Sequence, residues 1–155
     1  MYKNNLKNMI CNGNTAIGPF LKSTDPMIME ICGIAGFDFA IIDLEHGPLW
    51  IETAQNLVRA AEARGITPVV RVTENSPELI MRALDIGAHG VQIPQISSAA
   101  DSISAVSASK YYPNGQRGVC RYVRAADYSN MDKYEYFKSA NEQTMVIVQV
   151  VSNGL

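Results

Sequence analysis

The stretch GFDFAIIDLEHGP (36–48) decides how this chain is read. Phe37 to Asp43 is nearly continuous apolar sequence. A strand covered on both faces looks like that, whereas a strand with one wet face alternates. The polar second half ends in Gly-Pro, which marks a loop. Working outward, the same alternation recurs. TAIGPFL (15–21) is a short apolar run, and Asp25-Pro26 then offers a cap and a first-turn proline. Ile28, Ile31 and Cys32 follow at helical spacing, with Gly33 and Gly36 ending that helix. Residues 50–64 form a helix with Ile51, Ala54, Leu57, Val58 and Ala61 on one face. TPVVRV (67–72) is a strand, and Ser76-Pro77 opens a helix with Leu79, Ile80, Ala83 and Leu84 inward. HGVQIPQ (89–95) is a strand, and residues 97–110 are a helix with Ala99, Ile103 and Val106 on one face. A loop rich in Tyr, Gly and Arg (111–130), a polar helix (131–141) and a last apolar run, TMVIVQVV (144–151), complete the order.

Strict β-α alternation with near-solid apolar strands predicts an α/β fold with a parallel sheet and helices outside. A doubly wound open sheet and a (β/α)8 TIM barrel both fit. No G-x-G-x-x-G follows the first strand, so the dinucleotide-binding version lacks its fingerprint. A complete barrel takes roughly 250 residues. Five strands in 155 residues match about the first five β/α units, one partial-barrel domain over 1–155 ending after strand 5. Such a piece is expected to leave two unpaired sheet edges and one uncovered face.

Composition narrows the function classes. Hydrophobic residues are 47%, enough for a packed core. Net charge is −2, so nucleic acid and anionic membranes are not expected partners. The apolar runs fall short of a membrane span, and MYKNNLKNMI lacks the apolar core of a secretory signal. Cys11, Cys32 and Cys120 suit neither a disulfide framework nor a zinc site. A cytoplasmic location is the expectation.

In a barrel the C-terminal strand ends carry the site. That rule gathers Asp43, Glu45 and His46 after the most apolar strand, Arg71 at the end of the next, and Gln149 near the end of the last. A histidine beside a carboxylate is a tunable base, and an arginine offers a fork for a carboxylate or an enolate oxygen. The set points to proton transfer next to a carbonyl on a small acid. Solvated loop residues and an ordinary ion pair are the plain alternatives. His89 precedes a strand and belongs to the opposite, structural end. Asp85 reads as a cap or interface residue. Lys22 is either an exposed lysine or a Schiff-base lysine. Trp50 either walls a pocket or packs on its helix. Met27, Met29 and Met81 read as core or interface filler. YYPNGQRG (111–118) is a turn or an anion-binding loop.

Taken together, GFDFAIIDLEHGP (36–48), PVVRV (68–72), RALDIGAHGVQIP (82–94) and YYPNGQRGVCRYVRAADY (111–128) resemble the HpcH/HpaI aldolase family. These are the metal-dependent pyruvate aldolases that include 2,4-dihydroxyhept-2-ene-1,7-dioate aldolase. The resemblance runs from about residue 15 to 149. It implies a (β/α)8 barrel, assembled as a homo-oligomer, a hexamer in the family. It implies class II aldol cleavage of a 4-hydroxy-2-oxo acid to pyruvate and an aldehyde. His46 would be the base, working through water and oriented by Asp43. Arg71 would hold the pyruvate oxygens and steady the enolate. Glu45 would stand near metal-bound water, Gln149 would contact substrate, and Asp85 would lie near the subunit contact. A divalent metal (Mg2+, Mn2+ or Co2+) would polarise the keto group. One position departs. Two residues after the glutamine the family places a metal-binding glutamate, and here stands Val151. Valine has no donor atom, so no metal ligand is expected in this chain, and the 155 residues alone are expected to be inactive. A non-catalytic partial-barrel binding or assembly subunit is the alternative, as is a citrate-lyase-like member of the same superfamily.

Overall fold

A computed structural model describes residues 3–151. The elements run α1 (Asn5–Cys11), β1 (Phe20–Leu21), α2 (Pro26–Ile34), β2 (Phe39–Asp43), α3 (Ile51–Ala63), β3 (Thr67–Arg71), α4 (Pro77–Asp85), β4 (Gly90–Ile96), α5 (Ala99–Ser109), a 3-10 turn (Arg124–Ala126), α6 (Lys133–Gln143) and β5 (Met145–Val150). The strands form one parallel sheet in the order β1-β2-β3-β4-β5. Each strand lies beside its predecessor, with no reversal of order. A doubly wound sheet reverses at its switch point, so this is the barrel type of winding.

Strand periodicity sorts the side chains onto two faces. Ala40, Ile42, Val70, Val91 and Ile93 pack outward against Met29, Leu57, Val58, Ile80 and Leu84 of the helices, and all are fully or almost fully buried. Ile41 and Val69 point to the inner face with Phe39, Met145 and Ile147. The polar residues at the strand tops continue this inner face. Asp43 is two residues beyond Ile41, Arg71 two beyond Val69, and Gln149 two beyond Ile147. The register pairs Asp43 with Arg71 and Arg71 with Gln92 at one level.

The helix starts follow local chemistry. Asp25 caps α2 by accepting a 2.9 Å hydrogen bond from the Met27 N–H, with Pro26 in the first turn. The two glycines read as ending α2 have different roles. Gly36 adopts φ +86 just beyond the helix, whereas Gly33 is helical and lets α3 approach. A Cβ at Gly33 would lie 2.5 Å from Arg64 Cβ.

Three expectations change. Residues 5–11, to which the sequence reading gave no element, form α1. Its signal is the Asn4 cap, which accepts from the Lys7 N–H. Leu6 then plugs the inner face, and Asn4 donates to the carbonyls of His89 and Gln143 at 2.8 Å each. The face of α5 read from Ala99, Ile103 and Val106 points to solvent, with Ile103 70% exposed. The helix instead buries Ala105, Ala108 and Ser109, because small side chains allow α5 to lie close to the sheet. Finally, Met27 is exposed while Met29 is fully buried, so the methionines do not share one role.

Candidate active site

The site is built on the C-terminal ends of β2, β3, β4 and β5. Asp43, with no exposed side-chain surface, is its pivot. Arg71 grips it with both arms of the guanidinium fork, Nε donating to Oδ1 at 2.9 Å and Nη2 to Oδ2 at 2.7 Å. The backbone N–H groups of Glu45 and His46 also donate to Oδ1, at 3.1 and 3.2 Å. This folds residues 43–46 into a tight loop. Gly47 completes it, since a Cβ there would lie 2.4 Å from the Asp43 carbonyl oxygen and 3.5 Å from Lys22 Cα.

Burial pushes the Asp43 carboxyl up, but the Arg71 hydrogen bonds, the two backbone donors and the Arg71 charge outweigh it and hold Asp43 below its ordinary value. Arg71 is moved the other way, held charged chiefly by its hydrogen bonds to Asp43 against the cost of burial. Its remaining arm, Nη1, stands 3.1 Å from Glu45 Oε2 and 3.5 Å from Gln149 Oε1. The guanidinium also stacks 4.8 Å from the centre of the Phe20 ring. His46 lies outside this locked group. Its Nε2 is 3.7 Å from Glu45 Oε2, and its side chain is 61% exposed.

Asp43, Glu45, His46, Arg71 and Gln149 therefore come together at one end of the sheet. Lys22 joins them, its Nζ 3.9 Å from Asp43 Oδ2. That exposed position, beside a carboxylate, lacks the desolvation a Schiff-base lysine needs. Trp50 is 82% exposed and borders an open apolar cavity of about 420 Å³ with Leu44, Leu49, Val72 and Leu79, so it is not core packing. His89 lies at the opposite end, with Nε2 3.4 Å from Glu62 Oε1. Asp85 also lies apart, bound at 2.7 Å by Arg117, whose guanidinium is 4.6 Å from the centre of the Tyr111 ring. The arginine of the 111–118 loop is thus spent inside the fold and binds no external anion.

Three site residues escaped the sequence reading: Phe20, Gln92 and Gln95. Gln95 Nε2 is 3.4 Å from Glu45 Oε1. A signal was present, because Pro94 interrupts an apolar strand and proline there marks a bulge.

The described residues do not fit a divalent metal. Asp43 has both oxygens taken up by Arg71, and Glu45 faces Arg71 and Gln95. Among the described residues no cluster of three His, Cys, Asp or Glu is positioned to hold an ion. No helix among them is long and apolar enough to cross a membrane.

The family model of the HpcH/HpaI aldolase/citrate lyase proteins matches residues 16–154. The chain is similar to the 2-keto-3-deoxy-L-rhamnonate aldolase of Salmonella gallinarum, 37% identical over 98% of this chain and 57% of the relative. It superimposes on the HpcH/HpaI aldolase of Desulfitobacterium hafniense with a TM-score of 0.87 and 30% identity, covering 94% of this chain and 56% of that one. The citrate synthase SbnG gives a TM-score of 0.81 at 35% identity, covering 92% of this chain and 54% of that one. The chain spans a little over half the length of these relatives. A family match over most of the chain and the barrel-type winding agree: the chain belongs to the HpcH/HpaI aldolase/citrate lyase family.

Proposed function

We propose that this chain carries the oxo-acid-holding and proton-transfer groups of an aldol cleavage that converts a 4-hydroxy-2-oxo acid to pyruvate and an aldehyde. The observation that carries the reading is the buried Asp43–Arg71 pair with the exposed His46 beside it. Through a water, His46 takes the proton of the 4-hydroxyl. The C3–C4 bond breaks, its electron pair passes to the 2-oxo group as an enolate, and the aldehyde leaves. Arg71 Nη1 faces the enolate oxygen once the long Gln149 contact gives way. A proton returned to C3 yields pyruvate. Asp43 touches no substrate and acts as a positioning residue by fixing the guanidinium plane.

A divalent metal (Mg2+, Mn2+ or Co2+) is the cofactor the family resemblance implies. Its carboxylate donors are not assembled among the described residues, and the resemblance implies that Val151 stands where the family carries one. We therefore expect no pyruvate release from the 155-residue chain by itself. Binding is the decisive measurement. Pyruvate titrated against the chain should perturb the Arg71 side-chain NMR signals, and Arg71→Lys should abolish pyruvate binding followed by calorimetry. Pyruvate binding indifferent to Arg71→Lys would overturn the reading. The missing metal donors favour one second reading, a non-catalytic assembly subunit; saturable self-association without pyruvate binding would support it. Similarity to a citrate synthase keeps a citrate-lyase-like substrate in view, and oxaloacetate as a competing titrant distinguishes it.

A further inference from the structure

The firm grip on Arg71 is at one edge of its guanidinium. The hydrogen bonds to Asp43 leave from Nε and Nη2, and the donors of a guanidinium lie in its own plane. Nη1, the arm that faces the enolate in the proposed cleavage, lies away from that edge. It meets Glu45 Oε2 at 3.1 Å and Gln149 Oε1 at 3.5 Å. In-plane bonds of this kind do nothing to cover the flat faces of the group. Phe20 does. The guanidinium carbon sits over its ring, 4.8 Å from the centre, and the cleavage step gives Phe20 no other task.

The chain places this ring by strand alternation. Leu21 packs into the core between sheet and helices, so Phe20 points to the inner face. Phe20 is level with Ile41, which is level with Val69. It therefore stands one side-chain layer below Asp43 and Arg71, where a guanidinium leaning across to Asp43 meets it. The backbone of β1 is pinned on both sides of Gly18. The Asp38 N–H donates to the Ile17 carbonyl and the Ile41 N–H to the Pro19 carbonyl, each at 2.9 Å. A Cβ at Gly18 would lie 2.2 Å from the Phe39 carbonyl oxygen, so only glycine lets β1 approach this closely. Phe20 is 47% exposed, whereas the Arg71 side chain is 11% exposed. A half-exposed phenyl gains little from burial. Its negative face attracts the cation, and more strongly where water is displaced.

We propose that Phe20 is a positioning residue for Arg71, its ring covering the guanidinium and keeping Nη1 aimed at the oxo-acid oxygen. This rests on the aldolase reading and adds a residue that acts through its arginine. Pyruvate binding by calorimetry tests it, with the Arg71 side-chain NMR signals as a second readout. Phe20→Leu stays apolar but loses the ring. It should weaken pyruvate binding about fivefold and remove the ring-current shift of the Arg71 guanidinium protons. Phe20→Trp, with the stronger ring face, should bind within about twofold of wild type. Trifluorophenylalanine at position 20 keeps the ring and its fit but withdraws charge from its face, and it should lose affinity as Phe20→Leu does. If Phe20→Leu does not fold, as judged by thermal melting, the fluorinated chain carries the test. Wild-type affinity in the fluorinated chain, or a loss in Phe20→Trp as large as in Phe20→Leu, overturns the positioning role and leaves the aldolase reading in place. Absence of pyruvate binding by the wild type, or binding indifferent to Arg71→Lys, overturns the aldolase reading and the role of Phe20 with it.

Discussion

Both ends of the sheet hold a histidine, a glutamate and an arginine in contact. At the top the trio is His46, Glu45 and Arg71; at the bottom it is His89, Glu62 and Arg124. The residue types are the same and the burial is inverted. At the top, glutamate and arginine are about 10% exposed while the histidine is open to solvent. At the bottom the histidine is 9% exposed and the glutamate is the more open member. The top also has a fourth residue, Asp43, which is fully buried and immobilises the arginine. The bottom has Asn4 closing over the backbone of His89. A chemically capable set is therefore not a site by composition. On the proposed reading it becomes one where the cation is fixed from behind and the histidine is left free in front.

The largest expected difference between the ends is catalytic. Exchange of the pyruvate methyl hydrogens with solvent deuterium, followed by NMR, reads proton transfer alone. In a complete-barrel chimera, made by joining this chain to the second half of a metal-binding relative, His46→Ala should lower the rate by about 10²–10⁴. The melting temperature should be nearly unchanged, because His46 is exposed. His89→Ala should do the reverse, lowering stability and sparing exchange. Equal effects on exchange would dissolve the distinction between the ends.

The next difference is in stability. Asp43→Ala leaves Glu45 to pair the buried Arg71 charge and removes the bidentate grip, a change that costs about 3 kcal/mol, the low end for breaking a buried pair. Glu62→Ala at the more open lower end should cost no more than about 1 kcal/mol. Urea unfolding of both variants checks this. Comparable losses would mean that Asp43 is an ordinary ion-pair residue rather than the pivot of the site.

The acid limb of the stability curve sharpens the same point. Asp43 is held below its ordinary value of 3.8 in the fold. Its contribution is therefore complete above that ordinary value and is lost as pH falls through the lower folded value. Asp43→Asn should flatten the limb below about pH 4. Unchanged acid unfolding would sink the claim.

What the sequence disclosed follows the same division. The strand order and the residues grouped around Asp43 were readable, because apolar strands ending in polar residues have one arrangement in a parallel barrel. Periodicity failed at α5, where alanines rather than Ile103 and Val106 were buried, since it records hydrophobicity and not how closely a helix must approach. It failed at α1, where a helix of seven residues gives too little period to see. Gln92 was unreadable as a site residue because its level beside Arg71 depends on the register between strands, and for Gln95 the sequence offered only Pro94 as the mark of a bulge. The Asp43–Arg71 contact likewise joins residues on neighbouring strands, and only their matched positions at the strand ends hinted at it.

The last expected effect belongs to the lower end and falls in the alkaline range. Lys110, at the end of α5, donates to the carbonyls of Asn141 and Thr144 at 2.7 and 2.6 Å. Burial, with repulsion from Lys7 and Arg117, brings its ammonium down to about 8 from an ordinary 10.5. Between those two values the unfolded chain keeps the proton and the folded chain releases it. Stability must then rise as pH increases through that window, since it rises wherever the unfolded state binds more protons. Lys110→Met should remove the rise while costing some stability at neutral pH through the two lost hydrogen bonds. Urea unfolding between pH 7 and 10.5 separates the two effects. A wild-type curve that stays flat or falls across the window would show that the two carbonyls hold Lys110 charged, making the lower end a site of fixed charge like the upper one.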